Sequence, residues 1–171
     1  MDREQVKEML CSLHEVAGIS GRESNVGEKM RQLLEGCYDD FFVDTLGNYF
    51  FVKKGKKIML SAHMDEIGFL VSDIWDDGYV SFVPVGMHEP CLTLNQVLTI
   101  HTRNGKVEGV TGMPPVHQGK HDYGNISYKE LKLDVGTHSK EETESLGIRP
   151  GDMITNERGY RILNKHIFSG K

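Results

Sequence analysis

The chain has little cysteine, no long apolar run and no surplus of positive charge, and each shortage removes a class of function. Its three cysteines, Cys11, Cys37 and Cys91, are far apart and odd in number. They form no metal-binding Cys-x-x-Cys, and free packing thiols in a reducing cytosol are the simplest reading. No segment approaches the roughly 18 consecutive apolar residues of a membrane helix. The opening Met1-Asp2-Arg3-Glu4-Gln5 is acidic and amphipathic rather than basic and then apolar, so no secretory signal is expected and the location expected is cytoplasmic. Lysine and arginine number 20 against 25 acidic residues, a formal net charge of −5. That balance gives no reason to expect nucleic acid or an acidic membrane as partner. The one basic cluster, Lys53-Lys54-Gly55-Lys56-Lys57, sits between two apolar segments and reads as a solvated hairpin turn. There is also no glycine-rich phosphate loop and no Gly-x-Ser-x-Gly elbow, so a nucleophilic-serine mechanism has no support.

What is present is an ordinary globular composition, with 38% apolar and 26% charged residues over 171 positions. Such a length holds one core of ordinary size or two small ones. Val6, Met9, Leu10 and Leu13 fall at helical spacing, which predicts an amphipathic helix over Arg3 to Val16. Ser20-Gly21 interrupts it. A second helix is expected from Glu23, with Val26, Met30, Leu33 and Leu34 as its buried stripe and Gly36 as its stop. Phe41 to Asp44 and Tyr49 to Val52 read as strands around Leu46-Gly47-Asn48. Ile58 to Ala62 reads as a buried strand. This opening suits an α/β domain with helices on a sheet.

Beyond Gly68 the pattern changes to short strands at 69–74, 79–83, 97–101 and 107–111. Asp76-Asp77-Gly78 and Asn104-Gly105 mark turns, and Asn-Gly is a strong hairpin signal because both residues tolerate positive φ. Ser139 with Glu142 predicts a capping box opening a short helix, closed by Gly147. Met153 to Thr155 and Tyr160 to Leu163 are expected to form a last strand pair. A string of short strands indicates a small antiparallel barrel or sandwich. The expected domains are therefore 1–67, the start of an α/β domain; 68–163, an inserted β domain; and 164–171, a return segment.

The segment Ile58-Met59-Leu60-Ser61-Ala62-His63-Met64-Asp65 carries the chemistry. An apolar run delivers His63, with Asp65 two residues on. His63 can offer one ring nitrogen to a divalent metal, while Asp65 holds the other and fixes the tautomer. A core histidine with a satisfied carboxylate fits the same spacing. His117-x-x-x-His121 has the spacing of a helical zinc pair, but Met113-Pro114-Pro115 and Gly119 put it in a loop. Glu66 adjoins Asp65 and, on a strand, would face the other way, which favours a structural role. Asp76-Asp77 reads as turn chemistry rather than calcium binding.

Ser-Ala-His-Met-Asp-Glu-Ile-Gly-Phe at 61–69 resembles the signature of the TET-type glutamyl and leucyl aminopeptidases, some of which carry endoglucanase names. The likeness extends to Gly18-Ile19-Ser20-Gly21-Arg22-Glu23, Asp44-Thr45-Leu46-Gly47-Asn48 and Pro84-Val85-Gly86. It continues through Leu133-Asp134-Val135-Gly136, Ser139-Lys140-Glu141-Glu142 and Leu146-Gly147-Ile148-Arg149-Pro150-Gly151-Asp152. The resemblance implies a partial metallo-aminopeptidase α/β domain with an inserted β barrel or sandwich. It implies two divalent metals per complete site, zinc or cobalt, and a peptide substrate shortened from its N-terminus. His63 matches a metal-ligating histidine and Asp65 the acidic residue behind it. The insert implies a homo-oligomer. In the family, a pair like Gly170-Lys171 precedes the bridging aspartate, the general-base glutamate, another carboxylate and a second histidine. The resemblance therefore implies an N-terminal half, inactive alone, with a C-terminal half encoded separately or removed.

The rival from a different class is a non-catalytic assembly module descended from such an enzyme. The missing acidic residues and histidine just downstream in the DNA would favour the enzyme; their absence would favour assembly. Glycoside hydrolysis would need two carboxylates flanking a sugar cleft, and no such pair is evident.

Overall fold

The computed structural model describes residues 2–55, 57–113, 126–156, 160–164 and 167–169. His117 and His121, and the Gly170-Lys171 pair, lie outside the described residues. Contacts divide the chain into two compact units, 1–66 with 159–171, and 67–158.

The first unit opens with α1, Arg3–His14, and α2, Ser24–Leu33. Asp2 caps α1: its side chain accepts from the Gln5 N–H at 2.9 Å, and Gln5 returns the bond to the Asp2 N–H at 2.8 Å. Both helices are amphipathic as their spacing requires, but their apolar stripes are not core. Val6 and Leu10 remain exposed, and the one buried residue of α2 is Gly27. Few elements of this unit are available to cover them. Among the described residues, Ile19 is its one fully buried large apolar side chain.

Strands β1, Asp40–Val43, and β2, Tyr49–Val52, form an antiparallel hairpin with Phe41 opposite Phe51 and Phe42 opposite Phe50. Its turn is built by Asp44, whose Oδ1 accepts from the N–H groups of Leu46 and Asn48, each at 2.9 Å. Gly47 takes φ +85°, which suits glycine there.

The expected strand at 58–62 is not formed. Residues 57–65 have no regular structure, and Ile58, Met59 and Leu60 are 80%, 84% and 93% exposed. An apolar run becomes a buried strand only when neighbours pair its backbone and cover its faces. No strand among the described residues lies beside this one. The segment is instead held at its end, where Glu66 and Ile19 make a parallel bridge.

The second unit is a closed antiparallel barrel, which decides between the two β architectures expected. It comprises β3 (Gly68–Ile74), β4 (Val80–Val85), β5 (Val97–Thr102), β6 (Gly105–Gly112), β7 (Lys132–Asp134) and β8 (Met153–Thr155). The order around it is β3-β4-β7-β6-β5-β8, and β8 closes the ring by pairing with both β3 and β5. Phe69, Val71, Val80, Phe82, Leu98, Ile100, Leu133 and Ile154 fill the core, each at most 3% exposed. Burial of each such side chain contributes on the order of 1.5–3 kcal/mol before ordering costs. A register shift between Val71 and Asp73 breaks the two-residue period and brings Ile74 inward after Val71.

The β5–β6 hairpin forms as expected, with a different turn. Thr102 pairs with Gly105, so Arg103 and Asn104 are the loop. Gly105 has φ +130°, and Asn104 is not among the positive-φ residues. Ser139 caps α3, Lys140–Ser145, and accepts from the Glu142 N–H at 3.2 Å. The Glu142 carboxylate accepts from the His138 N–H at 2.8 Å, one residue earlier than a capping box places it. Gly147 follows the helix with φ +90°, as the closing glycine should.

The expected pairing of Met153–Thr155 with Tyr160–Leu163 is overturned. Both edges of β8 are occupied within the barrel. Strand β9, Arg161–Leu163, pairs instead with β10, Ile167–Ser169, in the first unit.

Candidate functional site

His63 and Asp65 stand on the irregular segment before the Glu66 bridge, not at the exit of a buried strand. The structure brings them together. His63 Nδ1 lies 3.0 Å from Asp65 Oδ1 and 2.9 Å from the Asp65 backbone oxygen. Both partners accept only, so in the neutral ring Nδ1 carries the proton and Nε2 presents its lone pair. The imidazole is 85% exposed, which leaves that lone pair open to an incoming group.

Asp65 is held from its other side. The Ser20 hydroxyl donates to Asp65 Oδ2. That bond first, and the His63 contact second, hold the Asp65 carboxyl below its ordinary value, while partial burial opposes them. Asp65 is therefore a carboxylate at neutral pH with both oxygens engaged. Ser20 is the residue that sequence reasoning missed. It lies 45 positions away, and no local spacing links it to the His-x-Asp pair.

Glu66 faces a different duty. Its N–H donates to the Gly18 carbonyl at 2.9 Å, and its Oε1 accepts from the Gly18 N–H at 3.1 Å. These bonds fasten the loop at 18–20 beside 65–66, in keeping with the structural role expected of Glu66.

A neutral imidazole with a free Nε2 and a carboxylate behind Nδ1 is the arrangement of a ligating histidine with its outer partner. As one ligand, His63 fits. A site needs about four, and among the described residues no group of three or more His, Cys, Asp or Glu converges. No described helix is long and apolar enough to cross a membrane.

Fold and site together define a class: the start of an α/β peptidase-type domain, interrupted in sequence by a six-stranded barrel. The chain belongs to the M42 glutamyl aminopeptidase family, whose profile matches residues 47–171. It is 33% identical over 168 residues to the lysyl aminopeptidase of Pyrococcus furiosus, covering 95% of this chain and 49% of that protein. Among solved structures, it is similar to an aminopeptidase from the archaeon Desulfurococcus kamchatkensis. There the TM-score is 0.88 at 36% identity, over 95% of this chain and 46% of the other. The TET1 peptidase of Pyrococcus horikoshii, described as able to assemble into a tetrahedron or a large octahedral shell, gives a TM-score of 0.79 at 32% identity. That match covers 92% of this chain and 48% of the other. The chain spans about half the length of the curated relatives it matches.

Proposed function

We propose that this chain is the N-terminal half of a metal-dependent aminopeptidase that removes N-terminal residues from peptides. The carrying observation is the His63–Asp65 pair, with Nδ1 committed to acceptors and Nε2 open, in a chain of the M42 family. His63 is the metal ligand this chain supplies. Asp65 holds the ring and its tautomer. Two divalent metals, zinc or cobalt, would supply Lewis acidity for amide hydrolysis in the complete site. The remaining ligands and the general base belong to a C-terminal half, so the chain alone is expected to be inactive. The barrel is the family's inserted β domain in this reading, and the working particle is a cytoplasmic homo-oligomer.

The exposed apolar run at 58–60 favours a second reading as well, a non-catalytic assembly module. One experiment separates the two. The product is isolated from its native source, its intact mass is measured, and release from aminoacyl chromogenic substrates is assayed with zinc or cobalt. A larger polypeptide, or a tightly held second one, with release lost on chelation and in His63→Ala, bears out the enzyme. A product ending at Lys171 with no partner polypeptide and no release in any metal favours assembly.

A further inference from the structure

We propose that Ser20 is a positioning residue for the His63 imidazole, acting through the Asp65 carboxylate. The inference rests on the aminopeptidase reading for its purpose, and on the hydrogen bonds of Asp65 and of the loop at 18–20 for its content. His63 Nδ1 donates to Asp65 Oδ1 at 3.0 Å and to the Asp65 backbone oxygen at 2.9 Å, and the Ser20 hydroxyl donates to Asp65 Oδ2. A carboxylate held at one oxygen can still swing about its Cβ–Cγ bond. Held at both, its plane is set, and so is the direction from which it meets the ring.

Ser20 itself is held through its neighbours. Its neighbour Ile19 is fully buried and bridges Glu66 in parallel register. Gly18 exchanges two hydrogen bonds with Glu66, one to the backbone and one to the carboxylate. The Ile19 carbonyl accepts from Arg22 at 2.8 Å, and Gly21 turns the chain at φ +81°. Ser20 therefore sits on a loop that is pinned on both sides. The short segment carrying His63 has no strand partner of its own among the described residues. Orientation that a rigid strand would have supplied comes here from the loop at 18–20.

Asp65 is about one-third exposed, at 36%. Water can therefore replace the lost hydroxyl as a donor in a Ser20 variant. Water cannot replace its fixed position. The expected loss is thus of ring orientation and tautomer, with the carboxylate still charged.

The test is a long-range proton–nitrogen spectrum of His63 in the whole chain at a pH of about 8, above the ordinary imidazole value of about 6.5. The free ring in water prefers its proton on Nε2. In the native chain the Nδ1–H form should dominate. Asp65→Ala, which removes the side-chain acceptor and leaves the backbone oxygen, sets the reference for its weakening. Ser20→Thr should keep the native share of the Nδ1–H form, and Ser20→Val, of similar shape without the hydroxyl, should lower that share toward the reference, the Asp65 backbone oxygen remaining as an acceptor. Backbone amide shifts of Ile19 and Glu66 report whether the loop still docks in each variant. A Val variant with docked loop and native tautomer overturns the proposal. So does equal loss in Thr and Val, which would assign the effect to bulk. The aminopeptidase reading fails separately: a complete protein that binds no zinc or cobalt refutes it even where the tautomer responds as described.

Discussion

Gly27 of α2 lies against the ring of Tyr49 in β2 so closely that a Cβ at position 27 would come within 2.4 Å of the Tyr49 Cε2 and Cζ atoms. The Tyr49 hydroxyl, in turn, reaches the Ser24 carbonyl one turn earlier on the helix, at 3.3 Å. The helix and the aromatic hairpin are therefore packed through the absence of a side chain. Gly27→Ala must displace a ring held at both its face and its tip. We expect destabilisation of the first unit by about 1–3 kcal/mol, the usual range for overpacking. Denaturant titration monitored by tyrosine fluorescence would measure it. Combining Gly27→Ala with Tyr49→Leu should recover part of the loss, because the two sites share one contact.

Asp44 governs the turn of that hairpin. The Asn48 side chain first, and the backbone N–H groups of Asn48, Leu46 and Gly47, hold its carboxyl below the ordinary value of 3.8. A carboxyl with a lowered folded value adds stability that is fully present above 3.8 and is lost as pH falls through the lower folded value. The amide signals of Leu46 and Asn48 should therefore move with a midpoint below 3.8 during acid titration. In Asp44→Ala that transition should vanish and the hairpin amides should exchange faster at neutral pH. Amide signals that titrate at the ordinary aspartate value would contradict the turn chemistry described.

The barrel has every feature of an independent folding unit, and residues 67–158 are expected to fold alone. Both edges of each strand that could be left open are paired by closure through β8. Thr143 of α3 is fully buried, and its hydroxyl donates to the Gly78 carbonyl at 2.8 Å in the β3–β4 turn. This ties the helix to the barrel. The isolated polypeptide should melt in one cooperative step, and Thr143→Val should lower its stability by about 1–2 kcal/mol. If the amides of Ile100 and Ile154 gain no protection from exchange in that polypeptide, autonomy is disproved.

Local chemistry was legible in the sequence, and long-range pairing was not. The turn at Leu46-Gly47-Asn48, the Ser139 cap and the short strands at 69–74 and 79–83 depend on residues a few positions apart, so their spacing reveals them. The first-unit helices were legible as amphipathic, but spacing cannot say whether anything covers the stripe that Val6 and Leu10 belong to. The pairing of β9 with β10 was obscured by a competing candidate on the other side in sequence, Met153–Thr155, whose edges turn out to be taken by β3 and β5. At the candidate site the His63–Asp65 contact spans two residues and was readable. Ser20 completes it from 45 residues away, where no period or motif reaches.

Ile58, Met59 and Leu60 carry the last prediction. Three consecutive large apolar side chains at 80% exposure or more form a patch whose backbone is also unpaired among the described residues. Water contact with such a patch is unfavourable, and a partner surface relieves it. The chain by itself should therefore form dimers or larger species whose size grows with concentration in light scattering. Exchanging Met59 and Leu60 for Asp and Lys should shift the distribution toward monomer without lowering the barrel's melting temperature, since these residues lie outside that unit. His63→Ala should leave association unchanged, because its ring is 85% exposed and is held by bonds to Asp65 rather than by the apolar run. A clean monomer at high protein concentration would count against the patch as the driving surface. Association that survives the charged pair would move the driving surface elsewhere, to the exposed Val97 and Val110 on the barrel wall.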